Sequence, residues 1–411
     1  MSNTSTLPAT SLTTSPTTLD PAVVEAIRQA IDPQRLAETA LALIAVPSPT
    51  RSAGQVANRL AELLAAEGFA VDRPVADWPE APAVVVRLDS GEAGRTLQFD
   101  GHLDTVHLPF VPPRQENGYL YGSGASDMKG GIAAFVEALR VLRDTGALKS
   151  GSVLLTAHDH HEGPWGDRRQ VQALIREGYV GDGVLLPEYL ADPLPVAARG
   201  MAIFEIRIRR DGEPVHEVLR PDGLPDVLGA GVLLVRRLQE LHAALGNITH
   251  PIAGQDSIFV GQFQCGEIFN QAAVLCTIKG TRRWVTPNAA AEVQAEFAAL
   301  LAKVAVETAT SIDFDFEVQG EAYAIDSGDP LLAAFQSAHT ATSGAPLALG
   351  RKPFVDDGNT FTALAGITPL SHGPAATGAH TLNEEVSLAE LVRVAQVYAL
   401  TALAYCGGNI G

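Results

Sequence analysis

The sequence predicts an α/β protein: a sheet-centred domain with helices on both faces, interrupted by a smaller inserted α+β domain. Three observations predict it. Short apolar runs bounded by turn residues recur along the chain and end in histidine or carboxylate, as buried strands that deliver ligands at the edge of an open sheet do. Amphipathic stretches at helical spacing lie between them. From Phe204 to Arg209 apolar and charged residues alternate, which marks a strand with one wet face and a change of architecture.

Taken in order, Val24, Ile27, Ile31, Leu36, Leu41 and Leu43 fall roughly at helical spacing, and Asp32-Pro33 reads as the cap and first position of a second helix. A third amphipathic run, Gln55 to Glu67, stops at Gly68. Strand-like runs follow at Ala70–Asp72, Ala83–Leu88 and Thr96–Asp100, then a helix over Ile132–Leu142 and strands at Ser152–Ala157 and Val184–Leu186. The middle reads strand (Phe204–Arg209), helix (Leu224–Leu245), strands (Ser257–Gln264, Ala272–Lys279), helix (Asn288–Thr308) and strand (Asp313–Val318), the split βαβ order of a ferredoxin-like domain. A last amphipathic helix runs from Leu388 to Tyr405. The expected division is a disordered Ser/Thr/Pro-rich tail over 1–19, a ligand-bearing domain over 20–198 and 320–411, and the insertion over 199–319.

A chain of 411 residues with 46% hydrophobic content can bury a large core. Its net charge of −18 excludes nucleic acid and anionic membranes as expected partners, because both reward clustered Lys and Arg. Cys265, Cys276 and Cys406 are too scattered for a disulfide framework or a thiolate zinc site, so a reducing cytoplasm is expected. The N-terminal residues lack the basic and apolar regions of a secretory signal, and no uninterrupted apolar run reaches the length of a bilayer span.

The chemistry concentrates at strand ends. Leu97–Val106 closes in His102 and Asp104; a metal-bound imidazole usually has its other ring N–H held by a carboxylate, so His102 reads as a ligand and Asp104 as its orienting partner. Alone the triplet is weak, since a His near an Asp is more often a satisfied pair. The Gly-Ser-Gly-Ala-Ser-Asp-Met-Lys-Gly-Gly stretch ending at Gly131 lacks Walker spacing, and Asp127 in it could simply cap the next helix. What weighs against the bland reading is company: His158-Asp159-His160-His161-Glu162 after one strand, Glu188 after another, and His372 and His380 near the C-terminus.

These blocks, in this order, resemble the M20 metallopeptidase family, the group of aminoacylase, carboxypeptidase G2 and succinyl-diaminopimelate desuccinylase. The resemblance covers nearly the whole chain after the tail. It implies two divalent metal ions, Zn2+ with Mn2+ or Co2+ as alternatives, held by His102, Asp127, Glu162, Glu188 and His380, with Asp127 bridging and Asp104 orienting His102. It implies that the insertion is a lid and dimerisation domain, and hence a homodimer. On the lid, His216 stands where the family carries a carbonyl-polarising histidine, and Asn270 with Arg282 or Arg283 matches positions that grip a substrate carboxylate. The implied activity is hydrolysis of an amide or amide-like C–N bond in a small carboxylate-bearing molecule through a metal-bridged hydroxide.

Two departures stand out. The family's Glu-Glu pair of general base and ligand reads His161-Glu162 here, so His161 takes the base position if Glu162 keeps the ligand role; in a rival register Glu162 is the base and His160 or His161 binds metal. A histidine base returns a proton to a poor amine less well, which opens an aminohydrolase acting on a non-peptide C–N bond, or a catalytically inactive binding protein, as alternatives. Second, the usual Gly-Thr-Asp is replaced by Phe354-Val355-Asp356-Asp357-Gly358-Asn359, which suggests a reshaped substrate wall with Gly358 in it. His158, His160 and His372 read as supporting or solvated residues, and Trp165 as pocket wall or core.

Overall fold

The computed structural model describes residues 19–407. Most of the expected N-terminal tail lies outside the described residues. The chain forms two compact units: one runs to Val196 and adds Ile325–Arg351 and everything from Asp356, the other comprises Ala197–Ala324 and Lys352–Val355.

The first unit is built on a six-stranded mixed sheet in the order Val71–Asp72, Val84–Asp89, Ser152–His158, Thr96–His102, Gly183–Leu186, Thr368–Ser371. The last four strands are parallel, with His102 opposite His158 and Ser371 opposite Leu186. Parallel strands end on one edge, so the residues just after them meet there. Every residue of Ser152–His158 is buried, which explains its unbroken apolar character.

The helix Lys129–Thr145 starts three residues before the expected Ile132, across two glycines. A side-chain carbon on Gly130 would lie 2.5 Å from the Ala125 carbonyl oxygen, and on Gly131 2.5 Å from that of Pro187, so these glycines serve close approach rather than chain breaking. Helix Leu388–Cys406 is, among the described residues, the one long and apolar enough to cross a membrane by composition, although Glu390, Arg393 and Gln396 interrupt its apolar run. It is 67% buried, and Leu391, Val394, Val397, Tyr398 and Leu400 are core.

The second unit is a four-stranded antiparallel sheet ordered Ser257–Cys265, Leu275–Trp284, Gly200–Arg209, Ser311–Gly320, with helices Val227–Leu245 and Ala290–Thr308. Phe204, Ile206 and Ile208 pack with Leu234, Leu238, Phe297 and Leu301, while Arg207 and Arg209 pair with Asp313 and Asp315. The alternation read from the sequence is this two-faced strand.

Candidate metal centre

His102 closes its strand fully buried, and its Nδ1–H donates to the backbone carbonyl of Asp104 at 2.9 Å. That fixes the tautomer and leaves the Nε2 lone pair facing Asp127 Oδ1 at 3.2 Å. The Asp104 carboxylate is not the partner expected for His102, lying 3.7 Å from Nδ1. It accepts instead the backbone N–H groups of His161 at 3.1 Å and Glu162 at 2.9 Å. Backbone geometry decides this, because the carbonyl two residues on reaches the ring first.

Asp127 does not cap the helix; Met128 is the capping position and no side chain closes it. Its other oxygen lies 3.2 Å from His380 Nε2, which also stands 3.2 Å from Glu162 Oε2. Asp127 and Glu162 push His380 up to about 10, the mark of a pocket that favours positive charge. Glu188 is buried with its carboxyl pushed well up by that burial and then by Asp127 and Asp356. His102 Nε2, Asp127 Oδ1 and Glu188 Oε1 are buried with no hydrogen-bond partner. His102, Asp127 and Glu162 offer atoms within 4.8 Å of one another, as do His102, His161 and Glu188.

His161 lies flat on His102, ring centroids 3.9 Å apart and planes 10° from parallel. Its Nε2 is 4.0 Å from Glu188, and its Nδ1 is 2.7 Å from Asp357. Burial, opposed by Asp357 but joined by the positive charge of His102 and Arg168, holds its pKa below the usual imidazole range. His160 turns away from the cluster, donating from Nδ1 to Asp167 at 3.0 Å with its ring edge-on to Trp78. His158 donates to Asp100 at 3.3 Å, and His372 is buried beside Phe335. None of the three is solvated. Trp165 is 42% exposed and rests on His107.

Gly358 is a packing position. A side chain there would meet Pro369 at 2.8 Å and Leu186 at 3.2 Å, which leaves no substrate-facing surface. In the second unit His216 is exposed, paired opposite Gln271, with the Asn270 amide 3.0 Å from its Nε2. Arg282 is buried and committed to Asp256 at 2.9 Å, so it is not free to grip a carboxylate. Arg283 is half-buried and makes no ion pair among the described residues.

Three residues at the centre had no role in the sequence reading. Glu384 accepts from Gly124, Ser126 and Asp127 N–H groups and so pins the Asp127 loop. Asp357 and Arg168 form a buried pair against His161. The doubled Asp356-Asp357 was visible, but which of the two would face inward depends on helix phase.

Residues 99–404 match the model of Peptidase family M20/M25/M40. A succinyl-diaminopimelate desuccinylase from Alkalilimnicola ehrlichii is 30% identical over 88% of this chain and 96% of its own. Among solved structures, a tripeptidase from Staphylococcus aureus superposes with TM-score 0.76 at 20% identity, over 91% of this chain and 99% of that one. The Bacillus subtilis YXEP protein, described as a dinuclear metal binding peptidase, gives TM-score 0.64 at 16% identity, over 90% and 97%.

Proposed function

The chain belongs to peptidase family M20/M25/M40, and from that premise we propose that it is a binuclear metal-dependent hydrolase cleaving an amide C–N bond in a small carboxylate-bearing substrate, such as an N-acyl amino acid or a dipeptide. The observation that carries this reading is Asp127, whose two oxygens each lie 3.2 Å from a different imidazole, those of His102 and His380. Buried carboxylates crowded together are costly unless cations neutralise them, so the donor set fits a pair of ions. His102, Asp127 and Glu188 would hold one; Asp127, Glu162 and His380 would hold the other. Imidazole with carboxylate suits Zn2+, Mn2+ or Co2+. Bound there, the ions would supply Lewis acidity and lower the pKa of water.

The flat stack of His161 on His102 favours one of the two registers. Ring-nitrogen lone pairs lie in the ring plane, and two nearly parallel planes with centroids 3.9 Å apart leave no position at bonding distance where one ion lies in both. That supports Glu162 as ligand and His161 as proton carrier: with Nδ1 engaged by Asp357, Nε2 is left to take a proton from attacking water and hand it to the leaving amine. Asp104 would hold both residues in place through their backbone N–H groups. In the second unit Arg283 with Asn270 would bind the substrate carboxylate, and His216 would polarise the carbonyl. That unit would also carry a homodimer interface.

Elemental analysis paired with assays on N-succinyl amino acids, other N-acyl amino acids and dipeptides tests the reading. Two ions per chain and amide turnover lost to a chelator are expected. Protein without ions, or loaded protein inert toward every amide, would overturn it. One observation favours a second reading, release of the amine from a non-peptide C–N bond such as that of an electron-poor aryl amine: an imidazole stands where relatives of this kind place a carboxylate base. Ammonia release from such a compound by amide-inert protein would support it.

A further inference from the structure

Behind His161 lies a buried row of charged side chains, of which the reaction outlined above invokes only Asp357, and that only as a contact of Nδ1. Asp357 is 1% exposed; its Oδ2 lies 2.7 Å from His161 Nδ1, and its Oδ1 accepts from Arg168 at 2.7 Å. His158 Nε2 lies 3.6 Å from the same carboxylate. The three partners come from separate segments. Asp357 opens the helix Asp357–Ala365, capped by Asp356. Arg168 sits in left-handed backbone, φ 61°, just before the helix Arg169–Arg176, and its N–H donates to the His160 carbonyl at 3.0 Å. A non-glycine residue held in that region is uncommon, and here it folds the Arg168 side chain back onto His161.

Arg168 also stands 2.7 Å from His161 Nδ1, so two hydrogen-bond arrangements compete. In one, Nδ1–H donates to Asp357 and Nε2 carries the lone pair. In the other, Arg168 donates to a bare Nδ1 and the ring proton moves to Nε2, facing the metal centre. A carboxylate oxygen 2.7 Å from a bare lone pair would be repelled, and Arg168 already has Asp357 Oδ1 as its acceptor. Burial works against charge on Asp357, and His161 and Arg168 overcome it, holding the carboxyl well below its usual range.

We propose that Asp357, held by Arg168, is the positioning residue that fixes His161 as the Nδ1–H tautomer, so that Nε2 is the proton acceptor at the metal centre. This rests on the reading of His161 as proton carrier. A purely structural Asp–Arg pair would have no need to touch the imidazole.

The test is nitrogen NMR of zinc-loaded protein with 15N-labelled histidine, with the His161 signals assigned by their loss in His161→Gln. The wild type should show a protonated Nδ1 and a bare Nε2. Asp357→Asn should move the proton to Nε2 and lower kcat on the order of 10²- to 10⁴-fold, with KM and metal content unchanged. Asp357→Glu should restore part of the rate. A bare Nδ1 in the wild type would overturn the proposal without need of any variant, and so would an unchanged tautomer in Asp357→Asn. A tautomer that flips while kcat stays constant would uphold the positioning and overturn the proton-carrier role instead.

Discussion

The imidazoles of His102 and His161 lie face to face, 3.9 Å between centroids and 10° from parallel. His102 Nε2 is directed at Asp127, while His161 Nε2 lies toward Glu188 and its Nδ1 toward Asp357. On the proposed reading the two rings would divide the labour of one corner of the site, His102 binding an ion and His161 moving a proton.

Asp104 ties that corner together. Because its carboxylate accepts the N–H groups of both His161 and Glu162, Asp104→Ala leaves two buried donors unpaired. We expect a stability loss of about 1–3 kcal/mol for each unpaired group in urea unfolding, and a drop in kcat well beyond the change in KM. Retention of wild-type kcat would show that the loop holds its shape without the carboxylate.

Arg282 and Arg283 should part company. Arg282→Ala strands Asp256 in the interior and should cost roughly 3–5 kcal/mol of stability. Arg283→Ala should leave the unfolding midpoint unchanged and raise KM for a carboxylate-bearing substrate about 10- to 100-fold, the worth of a charge-assisted hydrogen bond. The opposite assignment of effects would return the anchoring role to Arg282.

Gly358→Ala separates packing from binding. Its new methyl would meet Pro369 at 2.8 Å, so we expect a loss of about 1–3 kcal/mol in thermal or denaturant unfolding, with KM unchanged at a permissive temperature. A raised KM in a protein of wild-type stability would place this glycine on the substrate after all.

At the end of its strand, His158 carries a pH dependence. Burial lowers its pKa, but Asp100 and Asp357 outweigh that and raise it to about 9. A base raised above its unfolded value of about 6.5 contributes stability that is fully present below that pH and lost as pH climbs through about 9. Unfolding free energy should therefore fall across that window, and His158→Asn should flatten the fall. An equally steep profile in the variant would assign the dependence to another group.

Much of the site was readable because it obeys local rules. An apolar run that stops at His102 is a buried strand carrying that imidazole to the sheet edge, and parallel pairing brings Glu188 to the same edge. The two-faced strand Gly200–Arg209 announced itself by alternation. What stayed hidden depends on three-dimensional phase. Alternation says that Arg282 and Arg283 face opposite ways, yet only the buried Asp256 decides which one is consumed. Local spacing pairs the Asp104 carboxylate with the nearest ring, whereas the folded loop offers it two backbone N–H groups. The pairing of Asp357 with His161 joins residues 196 apart in sequence through a helix start and a left-handed turn, neither of which leaves a periodic trace.

The most direct test of the central claim is kcat for amide hydrolysis by His161→Gln and wild type, compared at equal measured metal content. The account predicts two ions per chain in both proteins and a loss on the order of 10²- to 10⁴-fold in the variant, the range for a removed general base. Wild-type kcat in the variant, or loss of an ion with the histidine, would contradict it, the latter by making His161 a ligand.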